Sequence, residues 1–291
     1  MFKGSFPALI TPFKDGEVDE DSFRAFVNWQ IEEGSDGLVP CGTTGESPTL
    51  SHSEHMKVTE ICIEEAKGRV PVLAGAGSNS TKEAVDLTIH AKKVGADAAL
   101  VVTPYYNKPT QEGLYEHFKA VQDVGLPIII YNIPARSVID MSCETMAKLA
   151  KFPNIVGVKD ATANLPRPQM TKIAMDGAKF CHMSGEDGTA LPFLAAGGDG
   201  CISVTANIAP RTCAELQRSW REQRIKESME LQDRLMPVHD ALFCETSPGP
   251  VKYAASLLGK CTSALRLPMT EIAEGSKIIV RNALVNSGLL N

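Results

Sequence analysis

Lys159 stands in the run NIVGVKDAT (154–162), directly behind small and branched apolar residues that read as a buried strand. An amine in that place has two readings. Its side chain snorkels to solvent, or it attacks a carbonyl to form a Schiff base. Only the neutral amine is nucleophilic, and an ordinary lysine is neutral about one time in a thousand near pH 7.5. Desolvation lowers a lysine pKa by up to about 3–5, so the second reading asks for a water-poor pocket. Gly157, two residues earlier on the same strand face, leaves space beneath a lysine side chain.

Other residues could serve such an amine. In GTTGES (42–47) two glycines flank two hydroxyl residues straight after a strand-like run. That is an ordinary turn or a cradle in which successive backbone N–H groups meet one carboxylate. Tyr131 closes IIIYN, either as a core tyrosine or as a general acid–base. A phenol of pKa near 10 needs a hydrogen-bonded relay to exchange protons at neutral pH, and Thr43 with Tyr106 would supply one. Arg136, in IPARS, is a solvated loop arginine or a bidentate partner for a second carboxylate. HSEH (52–55) spaces two imidazoles about one helical turn apart but lacks a third metal ligand by pattern. GAGSNS (75–80) lacks the third glycine of a dinucleotide loop.

Eight short apolar runs must position these groups: 6–13, 36–42, 70–77, 97–104, 126–134, 154–160, 180–187 and 199–207. Continuous hydrophobicity suits parallel strands buried on both faces. Helical periodicity fills the gaps. Phe23, Phe26, Val27 and Ile31 share one face of 19–33, and Ala84, Leu87, Thr88 and Ala91 share one of 81–97, with Gly95 as a stop. Eight strand–helix units predict an α/β fold, a (β/α)8 TIM barrel, with an open doubly wound sheet as the alternative. Active sites of such barrels lie at the C-terminal strand ends. Those positions hold Thr43, Thr44, Tyr105, Tyr106, Tyr131, Asn132, Lys159, Gly185, Glu186, Ser203 and Thr205, a hydroxyl-rich mouth around one amine. Past residue 208 the pattern is helical, at 210–235, 237–244, 248–258 and 270–287, with proline breaks at 237, 248, 250 and 268. The expected organisation is a barrel over 1–208, closed by the first helix of the tail, and a C-terminal helical extension over 209–291 packed on it.

Composition narrows the class. The 291 residues carry 35 acidic and 29 basic side chains, interspersed, for a net charge of −6. No basic block suggests nucleic acid, and no apolar run approaches the 18 or so residues of a membrane span. Eight scattered cysteines without a C-x-x-C pair suit reduced thiols, hence a cytoplasmic protein.

In order and spacing, PALITPF, GTTGES, VTPYYNKPTQEGLYEHF, YNIPARS, GVKDAT, SGED and ISVTAN resemble the pyruvate-dependent class I aldolase family of dihydrodipicolinate synthase and N-acetylneuraminate lyase. The resemblance runs through essentially the whole chain. It implies a lyase in which Lys159 forms an imine with pyruvate and the backbone at Thr43 and Thr44 holds the pyruvate carboxylate. Tyr131 moves protons through Thr43 to Tyr106, and Tyr106 reaches a neighbouring subunit's site, so a homo-oligomer, a dimer of dimers, is implied. Gly185 and the Ile202 carbonyl line the pocket. Arg136 recognises L-aspartate 4-semialdehyde, favouring condensation on the diaminopimelate route to lysine over sialic-acid cleavage. No metal, flavin or nicotinamide is implied. The family's lysine-inhibited members bind lysine through residues matching Ser47, His52, His55, Asn79, Glu83 and Tyr105, and Pro48 stands there in place of a small residue.

Overall fold

A computed structural model describes residues 2–290, which fold as two compact units. The first comprises Leu73–Ile202 with Phe2 and Lys3. Its frame is a parallel ladder of Leu73–Gly75, Ala98–Val102, Ile128–Asn132, Ile155–Asp160, Cys181–Ser184 and Gly200–Ser203, each pairing with the next. These strands are almost wholly buried, as their unbroken apolar runs require. Helices follow them in alternation: Thr81–Val94, Gln111–Gln122, the short Pro134–Ser137, Cys143–Leu149, Arg167–Ala174 and Ala190–Ala195. In Thr81–Val94 the buried residues are the four whose spacing predicts an inward stripe, and Gly95 ends the helix at φ +92°.

The second unit comprises Gly4–Val72 and residues from 203 onward. Gly4–Pro7 is its first strand, and Glu20–Glu32 its first long helix, capped by the Asp19 side chain accepting from the Ser22 N–H at 3.1 Å. The helix His52–Ala66 opens with a capping box between Ser51 and Glu54. Phe13, Phe23, Phe26, Val58, Ile61, Val238, Leu242, Val251, Val280 and Leu284 fill one core.

Three expectations need correction. The run 36–42 is not a full strand; it makes only single parallel bridges, Ala8 to Val39 and Leu38 to Val72. Pro40 has no N–H to extend a ladder, and Cys41 turns the chain at φ +54°. Phe13–Lys14 and Glu17–Val18 pair as a small hairpin within and just after the first expected strand. In the tail, Pro237 does not break a helix. Ile225–Ala241 runs through it, with Pro237 and the residue four earlier, Asp233, both exposed. The break falls at Gln223 (φ +61°), between Pro210–Arg221 and Ile225–Ala241.

Two buried imidazoles in the first unit make its stability depend on pH. Burial pushes His117 and His182 down from 6.5 to about 4, with Lys172 adding to the effect at His182. The unfolded chain therefore binds more protons than the folded one between pH 6.5 and 4, and stability falls as pH falls through that window. Acidifying from pH 7 to 5 should remove about 2 kcal/mol per histidine. Urea unfolding at both pH values checks this: His182→Gln should flatten the pH dependence, and an equal slope in the variant would contradict it.

Candidate active site

Lys159 is the fifth residue of Ile155–Asp160, whose branched residues favour a strand. In the ladder it lies beside Tyr131 on one side and Met183 on the other. Lys159 and Tyr131 are each only 6% exposed, and Lys159 Nζ lies 4.1 Å from the centre of the Tyr131 ring. The lysine is buried and does not snorkel to solvent. Gly185 makes its room, since a Cβ there would stand 3.1 Å from Lys159 Cε and 2.7 Å from Ala161 Cβ. Gly157 has a different reason from the one its spacing suggests. A Cβ at 157 would meet the Cys181 carbonyl oxygen at 2.7 Å and Ile129 Cδ1 at 2.8 Å, so glycine there permits close packing of neighbouring strands.

A polar network that pattern reading overlooks ties down the strand ends around Lys159. Asp160 accepts from the Thr162 N–H at 2.9 Å and the Thr162 hydroxyl at 2.6 Å, and Arg167 Nε stands 3.4 Å from its other oxygen. Arg167 also donates to Asp140 at 2.8 Å and to the Met141 carbonyl, while Asn132 donates to Asp140 at 2.7 Å. Burial raises the Asp160 carboxyl, against the pull of its Thr162 bonds and of Arg167. Asn132 and Asp160 end strands, Thr162, Asp140 and Met141 lie in the connections beyond them, and Arg167 opens the helix Arg167–Ala174. The Thr103 N–H donates to the Tyr131 carbonyl at 2.9 Å, and the buried Thr103 hydroxyl has no partner among the described residues.

Tyr106 is presented quite differently. Its φ is +71°, and the Asn107 N–H donates across it to the Tyr105 carbonyl at 2.9 Å, closing a three-residue turn. A bulky residue rarely adopts that conformation, which persists only where its surroundings impose it. Here Asn107 Nδ2 anchors the turn on the Asn79 carbonyl at 2.8 Å. The ring is 87% exposed, and no hydrogen bond joins it to Tyr131. Arg136 sits exposed on Pro134–Ser137, immediately beyond the Tyr131 strand, and Ile202 is buried in Gly200–Ser203. Asn79, Glu83 and Tyr105 come together: burial and the Glu83 charge raise the Tyr105 phenol, against a backbone bond at Asn79.

The second unit holds Thr43 and Thr44 in a tight loop. Gly45 N–H donates to the Gly42 carbonyl and Glu46 N–H to that of Thr43, each at 3.1 Å. The amides of Thr43 and Thr44 have no acceptor among the described residues, which leaves two adjacent donors for a ligand. Gly45 is required by close approach, because a Cβ would come within 2.9 Å of the Leu9 carbonyl oxygen; Gly42 faces open space. Ser47 and the exposed Pro48 form the 3-10 turn Ser47–Thr49, and His52 and His55 lie on the following helix, the first exposed and the second buried. Among the described residues no three His, Cys, Asp or Glu side chains converge to hold a metal ion, and no helix is long and apolar enough to cross a membrane. All eight cysteines are free.

A parallel α/β frame with a lysine buried at a strand end against a tyrosine suits Schiff-base chemistry, and the proteins this chain matches make it a lyase of the Schiff-base aldolase type. The chain belongs to the dihydrodipicolinate synthetase family, whose model matches residues 1–286. A protein of Rhodospirillum centenum named 4-hydroxy-tetrahydrodipicolinate synthase is 63% identical over 291 residues, all of both chains. The chloride-inhibited dihydrodipicolinate synthase of Acinetobacter baumannii, solved with pyruvate, superposes with a TM-score of 0.97 at 46% identity over all of both chains. The Cyanidioschyzon merolae enzyme, solved with lysine bound, gives 0.94 at 37% over 99% of each. The fold is that of these relatives, a (β/α)8 barrel with additional C-terminal helices.

Proposed function

We propose that this enzyme condenses pyruvate with L-aspartate 4-semialdehyde, the reaction of a 4-hydroxy-tetrahydrodipicolinate synthase on the diaminopimelate route to lysine. The observation that carries the proposal is the buried Lys159 amine 4.1 Å from the Tyr131 ring. Lys159 attacks the keto carbon of pyruvate, and loss of water leaves an iminium. That electron sink releases a methyl proton to give the enamine. The enamine carbon bonds to the aldehyde carbon, whose oxygen takes up a proton. The amino group of the semialdehyde then adds to the iminium carbon, displaces Lys159 and closes the ring. Tyr131 shuttles protons, with Thr43 and a neighbouring subunit's Tyr106 as its relay. The exposed, strained presentation of Tyr106 supports a role in another copy of the chain, within a cytoplasmic dimer of dimers.

The unpaired amides of Thr43 and Thr44 suit the pyruvate carboxylate, and Gly185 and Ile202 line the pocket. Arg136 takes the carboxylate of the semialdehyde. It separates this reading from a sialic-acid lyase, the alternative within the family. Arg136→Leu should raise KM for the semialdehyde roughly 10–100-fold, the weight of a charged hydrogen-bonding partner, with imine formation from pyruvate unchanged. Steady-state assays with each substrate varied check it; an unchanged semialdehyde KM, or turnover of N-acetylneuraminate at a comparable rate, would displace the proposal. Lysine is the expected feedback inhibitor, through Ser47, His52, His55, Asn79, Glu83 and Tyr105. The lysine-bound relative supports this, and a rate unaffected by millimolar lysine would refute it.

A further inference from the structure

The loop bearing Thr43 and Thr44 is held by a buried ion pair that the proposed mechanism does not use. Glu46, at φ +55°, is the last residue before Ser47 and is buried with Lys252 of the helix Gly249–Leu257. Lys252 Nζ donates to Glu46 Oε1 at 2.7 Å and to the Thr11 carbonyl at 2.9 Å, and lies 4.1 Å from the centre of the Phe13 ring. The other Glu46 oxygen accepts from the Arg266 N–H at 3.1 Å. The Thr11 hydroxyl donates to the Gly45 carbonyl at 2.7 Å. At the opposite end of the loop Cys41 also has positive φ, and its thiol donates to the His55 carbonyl at 3.4 Å.

These contacts share one consequence. A non-glycine residue in the left-handed region is strained unless its surroundings fix it. Glu46 is fixed through both carboxylate oxygens, by groups more than 200 residues away in sequence. The reversed backbone between Cys41 and Glu46 turns the Gly45, Glu46 and Ser47 amides back on the loop's own carbonyls, leaving those of Thr43 and Thr44 for a ligand. A buried ion pair adds little net stability compared with an apolar pair of equal size, so its presence calls for another reason.

We infer that Glu46 and Lys252 are positioning residues for the pyruvate carboxylate, a clamp by which the C-terminal helices set the aim of the Thr43 and Thr44 amides. This rests on the proposed pyruvate reading. The clamp acts on ground-state capture of the keto acid, so its loss appears in the KM for pyruvate and leaves that for the semialdehyde unchanged.

Lys252→Met leaves the Glu46 carboxylate buried without its ammonium partner and lowers the melting temperature, so it confounds stability with aim. The decisive variant is Glu46→Gln together with Lys252→Met, which strands no buried charge. With the full-length enzyme, this double variant should recover most of the lost melting temperature while its pyruvate KM stays raised tenfold or more. Borohydride trapping should need correspondingly more pyruvate. A folded double variant with wild-type pyruvate KM overturns the clamp, as does a semialdehyde KM that rises in parallel. Trapping on the wild type separates the two levels. An adduct at Lys159 with an unshifted variant KM removes the clamp alone, whereas no pyruvyl adduct on the active wild type removes the pyruvate reading and the clamp with it.

Discussion

Lys159→Ala should reduce turnover by roughly 10³–10⁶-fold, the range seen when a covalent nucleophile is removed from an otherwise intact site. Among the described residues its unit holds no second buried lysine. The other buried lysine, Lys252, belongs to the second unit and is engaged by Glu46 and the Thr11 carbonyl. The variant should still fold. Among the described residues Lys159 makes no salt bridge or side-chain hydrogen bond that its removal would strand, and its partner is the face of an aromatic ring. The comparison to make is steady-state rate against thermal unfolding for the same preparation. A variant that melts like the wild type and turns over within tenfold of it would contradict the imine mechanism.

Tyr131→Phe has the next largest expected effect, a loss of about 10²–10⁴ in kcat, as for removal of a positioned general acid–base. The substitution keeps the ring that packs against Lys159 and removes only the hydroxyl. The ladder bond from the Thr103 N–H goes to the Tyr131 backbone and survives. Pyruvate should therefore still bind, with kcat falling much more than KM changes, and the borohydride adduct should form slowly. Equal kcat in the two proteins would make Tyr131 a packing residue and leave the proton transfers without an agent.

The sequence made much of this site legible because strand-end residues in a parallel frame follow their own apolar runs. IIIYN and GVKD place Tyr131 and Lys159 each at a strand end, and the structure makes them neighbours in the ladder. The inward stripe of Thr81–Val94 was legible from its period and its terminal glycine. What escaped was set by groups distant in sequence. Nothing near Glu46 announces Lys252, and nothing near Asp160 announces the link through Arg167 to Asp140 and Asn132. The second expected strand shrank to two bridges because Pro40 and the positive φ of Cys41 outweighed an apolar run. Pro237 misled in the opposite direction, since the helix Ile225–Ala241 carries it in its interior at an exposed position. The strained turn that exposes Tyr106 has no composition cue beyond the paired tyrosines themselves.

Intact mass after incubation with pyruvate and borohydride, followed by peptide mapping, tests the central claim most directly. A single reduced pyruvyl group per chain, carried on Lys159, is the predicted result. An adduct on any other side chain, or an active enzyme whose mass does not change, would contradict it.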